Sequence, residues 1–191
     1  MLQSHKKGPL DFQVCESHIF WMKKTTLRAA NLLGAAVLGL HDEIKKTVEE
    51  RTGHSGETSA AVTALGHQPG LSNDGLSSLL DLTHTGTVRL VDRLVADGLV
   101  EKRQSALDKR SVALFLTARG KSVRRQILAD REAALAPLVS NLSDADQKSL
   151  ANLLSMLLNA VAQDDVHKLR ICRLCDAVAC GDCPIRVEVG E

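Results

Sequence analysis

Apolar residues recur at steps of three and four through most of this chain, the spacing that puts them on one face of a helix. Leu33, Val37, Leu40, Ile44 and Val48 mark such a face over Leu27 to Glu50, and Gly53 follows as a stop. A shorter helix is predicted over Glu57 to Leu65, ended by Gly66 with Pro69 and Gly70 beyond. Leu76, Leu79 and Leu80 line the next helix. Thr83 can cap the one after it, where Val88, Val91, Leu94 and Val95 continue inward until Gly98. The period then changes. Leu99 and Val100, a polar tip from Gln104 to Arg110, and Val112, Leu114 and Leu116 read as two short strands around a charged turn. Helix, helix and hairpin in that order predict a winged helix-turn-helix. Two further helices follow, one from Thr117 to Leu142 that Pro137 is expected to bend, and one opened by the capping box of Ser143 and Asp146. The latter carries Leu150, Leu153, Leu154, Leu157, Leu158 and Val161, an apolar seam wide enough to bury against partner helices.

Composition agrees with a helical protein. Of the 191 residues 44% are apolar and 25% charged, the balance of a globular chain, while aromatics are 2% with no tyrosine, so the core must be built from Leu, Val, Ile and Ala. No apolar run approaches the roughly 20 residues that span a bilayer. The patch from Leu32 to Leu40 is interrupted and too far inside for a signal peptide, so a soluble, cytoplasmic protein with no membrane partner is expected. The net charge of +1 conceals segregation: Arg89 to Arg125 holds ten basic residues against four acidic ones, a local excess of six. Such a stretch is either a solvated face or a nucleic-acid surface, and its place in a fold decides which.

The middle of the chain resembles the MarR family of transcription regulators. The run "LTHTGTVRLVDRLVADGLVEKRQSALDKRSVALFLTARG", Leu82 to Gly120, matches that family's recognition helix, wing and following helix start, most tellingly in "VDRLVADGLVEK" and "DKRSVALFLTARG". The order of flanking helices agrees, so the resemblance covers about Leu27 to Val161. It implies a homodimer whose first and last helices interlock and hold two winged helices one turn of double-stranded DNA apart on a pseudo-palindromic operator. It also implies regulation, usually repression relieved by a small-molecule effector or an oxidant. The expected fold is mainly α with a small β wing: a mobile leader at 1–16, an N-terminal dimerisation helix region at 17–55, the winged helix-turn-helix at 56–120, C-terminal dimerisation helices at 121–166, and a four-cysteine tail at 167–191.

If Thr83 caps the recognition helix, His84, Thr85, Gly86 and Thr87 form its first turn and Arg89 its near face, the part that enters a major groove. Arg89 can bond guanine in bidentate fashion, Thr85 and Thr87 can reach base edges or phosphates, and Gly86 allows close backbone approach. Thr83 and Thr85 have capping as their plainer role. In the wing, Asp108, Lys109 and Arg110 match the family motif, which implies Arg110 in the minor groove, Lys109 on a phosphate and Asp108 orienting the basic side chains. Asp108 can equally close the turn. Arg93, Lys102 and Arg103 are weaker candidates for phosphate contacts.

After the last predicted helix comes "CRLCDAVACGDCP", with Cys172, Cys175, Cys180 and Cys183 in a C-x2-C-x4-C-x2-C pattern. Two thiolates from one turn can share a metal, and two such pairs complete a tetrahedral shell. Zinc is the first choice, since a closed site supplies folding energy to a tail with few apolar residues. An iron–sulfur cluster is the second, and a thiol redox switch the third. The typical family member lacks this tail. His167 is set aside as a polar helix end, Cys15 as an isolated thiol of the leader, and Phe20 and Trp21 as packing residues. Competing readings are a metal or thiol redox protein, and an interaction adaptor using the winged helix as scaffold. No nucleophile elbow, phosphate loop or nucleotide fingerprint accompanies the cysteines, so an enzyme is not expected.

Overall fold

The computed structural model describes residues 23–54, 56–104, 112–176 and 183–185. Helix α1 runs Lys24–Thr52 and ends where Gly53 takes φ +68°, a left-handed turn that glycine adopts without strain. The chain divides after His41 into two units. In the first, the described part of α1 carries Leu32, Leu33, Val37, Leu38 and Leu40 exposed to solvent.

The second unit holds the core. Helix α2, Gly56–His67, is buried at every position from Thr58 to Leu65, because its small Ala, Ser and Thr side chains let neighbours approach from all sides. Helix α3, Asn73–Leu80, is capped by Ser72, whose hydroxyl accepts from the Gly75 N–H, and closes on Asp81 in the left-handed region at φ 59°. Helix α4, His84–Ala96, follows within three residues and packs against α3. Gly98, at φ +68°, then turns the chain into the wing. Strand β1, Val100–Gln104, pairs antiparallel with β2, Val112–Leu116, with Val100 opposite Leu116 and Gln104 opposite Val112. Leu71 bridges Leu114 and so ties the segment before α3 to the wing.

Helix α5, Ala118–Ser140, begins at Thr117, which binds the Gly120 N–H, and continues through Pro137. Helix α6, Asp144–Val161, has the predicted Ser143 cap and no buried residue, leaving Leu153, Leu154, Leu157 and Val161 exposed. Helix α7, Asp165–Cys172, was not anticipated; it starts at an Asp164 cap and packs against α3. One cluster joins Val48, Val62, Leu65, Leu76, Leu90, Leu94, Leu99, Leu114 and Ile127. It forms the floor on which α3, α4 and the wing sit. Among the described residues no helix is long and apolar enough to cross a membrane. The leader with Cys15, Phe20 and Trp21 lies outside the described residues, as does the wing tip with Asp108, Lys109 and Arg110.

Candidate nucleic-acid interface

Helix α4 owes its start to Thr83, whose side chain accepts from the Gly86 N–H at 3.1 Å. A Cβ at Gly86 would lie 3.0 Å from the Thr83 hydroxyl oxygen, so the cap itself favours glycine there. The helix is strongly two-faced. Thr87, Leu90, Val91 and Leu94 are buried, while Thr85, Arg89 and Arg93, spaced by four, line the opposite exposed side. Thr87 therefore departs from the sequence expectation. It is fully buried and its hydroxyl donates to the Thr83 carbonyl at 3.1 Å, so it locks the first turn onto the core and is withdrawn from the outer face.

At the helix start His84 is exposed and its Nδ1 lies 2.8 Å from Asp74 Oδ1 on α3, which links the two helices at their outer edge. The first-turn N–H groups and the helix dipole there favour an anion such as a phosphate. Arg89 and Arg93 enter no ion pair among the described residues. Lys102 on β1 reaches back to Asp92 at 2.7 Å, so its charge is partly spent within the fold. Arg103 pairs with Glu101 and stacks 4.7 Å above the Phe115 ring. Of the described basic residues predicted for this surface, Arg89 and Arg93 are the least committed elsewhere.

Behind the wing lies an open cleft of about 400 Å³, bordered by Leu65, Phe115, Arg103, Lys121, Arg124 and Arg125. Its chemistry is an aromatic ring among four cations. The Arg124 Nε is buried and has no hydrogen-bond partner among the described residues. Another Arg124 nitrogen lies 3.4 Å from His67 Nδ1, while His67 Nε2 is 3.0 Å from the Cys175 carbonyl. A neutral imidazole with its proton on Nε2 satisfies both neighbours. Burial and the Arg124 charge hold His67 below its ordinary pKa, outweighing the Cys175 carbonyl and Asp176.

The tail places Cys172, Cys175 and Cys183 as free thiols in one neighbourhood, while Cys180 lies outside the described residues. The Cys172 thiol is pushed up by its hydrogen bond to Cys175, by burial and by the nearby sulfurs of Cys175 and Cys183. Cys175 is lowered to about 6 by the same bond and by Arg131, whose guanidinium lies 4.0 Å from its sulfur, against burial and Asp176. Among the described residues no group of three His, Cys, Asp or Glu side chains is placed to hold a metal ion.

Comparison with known proteins falls on this same region. The model of the MarR family matches residues 48–111. That span runs from the end of α1 to the wing. The transcriptional repressor MprA of Escherichia coli K12 is 32% identical over 88 residues, which is 46% of this chain and 50% of that protein. The HTH-type transcriptional regulator PetP of Rhodobacter capsulatus is 36% identical over 67 residues, 35% of this chain and 40% of that one. The chain thus spans half or less of the curated relatives it matches. In fold it resembles RV1404 of Mycobacterium tuberculosis, with a TM-score of 0.63 at 23% identity, over 75% of this chain and 98% of that one. The MarR-family protein RV2887 of the same organism, solved in complex with salicylic acid, superposes with a TM-score of 0.54 at 25% identity, over 66% of this chain and 93% of that one. A mainly helical fold with a two-stranded wing is what all these structures share with it.

Proposed function

We propose that this chain is a transcription regulator of the MarR family that binds double-stranded operator DNA as a homodimer. The observation that carries the proposal is the outer stripe of α4. Thr85, Arg89 and Arg93 stand at one-turn intervals on a capped helix beside a wing, with no ion pair holding either arginine among the described residues. Arg89 is assigned to a guanine edge, Thr85 and His84 to base edges or phosphate near the helix start, and Arg93 to phosphate. Gly86 serves the cap. Lys109, Arg110 and Asp108 keep the wing roles that the resemblance implies.

Repression is the favoured sign, by likeness to MprA over the matched segment. Release of the operator is assigned to an effector or to a change at the cysteines. The aromatic and cationic cleft suits a small aromatic acid, in keeping with the salicylic acid bound by RV2887. The apolar faces exposed on α1 and α6 are too long to leave wet, and a second copy is their proposed cover. For the tail, spacing carries the proposal of a zinc centre at Cys172, Cys175, Cys180 and Cys183. The soft sulfur donors suit zinc, although the described residues alone do not compose the site.

The test is selection of a preferred duplex from a randomised pool by the full chain, followed by titration with Arg89→Ala. A pseudo-palindromic sequence is expected, with affinity reduced about 5- to 150-fold in the variant, the range of one lost bidentate base contact. A chain that selects no sequence at moderate salt would contradict the reading and favour an adaptor.

A further inference from the structure

Helix α7 is not a passive extension. Any helix leaves its last four carbonyls without partners in the same helix. At the end of α3 the Ser77 carbonyl accepts from the Asp81 and Leu82 N–H groups. The Ser78 carbonyl is taken by a residue 92 positions away: Arg170 of α7 donates to it at 2.9 Å. A second nitrogen of the same guanidinium lies 3.4 Å from Asp81. Asp81 is the left-handed residue of the turn between α3 and α4, two positions before the Thr83 cap. Arg170 therefore grips the turn that aims the recognition helix.

The grip is fastened on both sides. Leu169 and Leu174 pack against the core cluster, and Ile185, beyond the cysteines, is 4% exposed. The Cys175 carbonyl bonds His67 at the end of α2, and the Cys175 sulfur lies beside Arg131 of α5. Cys172, the last residue of α7, meets both Cys175 and Cys183, so sulfur joins the end of α7 to the segment at Cys183. Three helices of the winged-helix unit are thereby tied to one short segment.

We propose that the tail is a built-in clasp on the helix-turn-helix and that Arg170 is a positioning residue for DNA recognition, setting the angle of α4 through Ser78 and Asp81. The inference rests on the DNA-binding reading above. The clasp acts on specificity: base-edge contacts need α4 held within a narrow range, whereas phosphate contacts made by flexible basic side chains tolerate a tilt. Arg170 touches no DNA.

The experiment uses the full chain and the duplex that the wild type selects from a randomised pool, with poly(dI-dC) as the unselected comparator. Arg170→Ala is expected to bind the selected duplex about fivefold more weakly, with unchanged binding to poly(dI-dC) and an unchanged salt slope. Arg170→Lys, which keeps a cationic donor, recovers part of the loss. Asp81→Asn, which tolerates the left-handed backbone, loses affinity in the same direction, and Arg170→Ala together with Asp81→Asn loses less than the sum of the two. Thermal melting of every variant accompanies the titrations. Equal weakening on both DNAs, or a loss that lysine does not recover in any part, overturns the positioning role. Unchanged affinity of Arg170→Ala for the selected duplex overturns it while leaving the regulator reading intact. A wild-type chain that selects no duplex overturns both.

Discussion

Among the described glycines, Gly120 is the one whose added Cβ would run into backbone, and Gly120→Ala has a legible consequence. A Cβ there would lie 2.0 Å from the Leu99 carbonyl oxygen, 3.0 Å from the Leu99 carbonyl carbon and 3.3 Å from a Leu116 methyl. The carbonyl cannot step aside cheaply, because it already accepts from the Thr117 N–H at 3.0 Å, with the Thr117 hydroxyl 3.3 Å away as the weaker arm of a shared bond. The same hydroxyl donates to the Gly98 carbonyl at 2.7 Å and accepts from the Gly120 N–H at 3.0 Å. Relief requires the start of α5 to move away from the base of the wing by about an ångström or more, with overpacking costs at the upper end of the usual range, about 3 kcal/mol. For a chain of this size that lowers Tm by about 6–12 °C. Differential scanning fluorimetry with a parallel urea titration reads it. A Gly120→Ala protein melting within about 2 °C of the wild type, with the same urea slope, would refute the packing described at this junction.

Other consequences can be checked alongside. Arg51→Met removes the ion-pair partner of Asp130, which is 1% exposed and has one oxygen already unpartnered among the described residues; unfolding free energy should fall by about 1–3 kcal/mol, and adding Asp130→Leu should recover much of it. His67, held below its ordinary value near 6.5 by burial and Arg124, is neutral in the fold at pH 7. As pH falls below that value the unfolded chain takes up a proton the folded chain refuses, so the urea midpoint drops between pH 7.5 and 5.5; His67→Gln should flatten that difference, and an equal drop in the variant would contradict it. Metal analysis of chain purified without oxygen should give about one zinc per chain and no visible colour if the four thiols form a closed site; iron with sulfide, or a metal-free chain, would contradict the zinc proposal.

Where short-range chemistry decides the structure, it was readable in the residues. Thr83 and Ser143 cap helices as their types and positions suggest, Gly98 adopts the left-handed turn that ends α4, and the change from helical to alternating period marks the wing. Thr87 was misread because its hydroxyl drew attention over its spacing: it lies three before Leu90 and four before Val91, on the inward stripe. Helix α7 escaped notice because it is short and weakly two-faced, and its docking depends on Arg170 meeting a carbonyl 92 residues away, which no local pattern encodes. His67 and Asp130 owe their roles to the same kind of distant partner, Cys175 for one and Arg51 for the other. The apolar stripes of α1 and α6 were legible from their periodicity, and the structure leaves Leu33, Val37 and Leu40 of α1 and Leu153, Leu154, Leu157 and Val161 of α6 exposed; periodicity marks such a stripe without saying what covers it.

The central claim is that two copies of α4 read one duplex together. With the selected duplex in hand, the decisive measurement is affinity as base pairs are inserted between the two half-sites. Insertion of about five base pairs rotates one half-site to the opposite face of the helix and should abolish specific binding, while the uninterrupted site, its half-sites about 10 base pairs apart, binds two chains per duplex. Binding that is indifferent to the insertion, or one chain per duplex at saturation, would contradict the account.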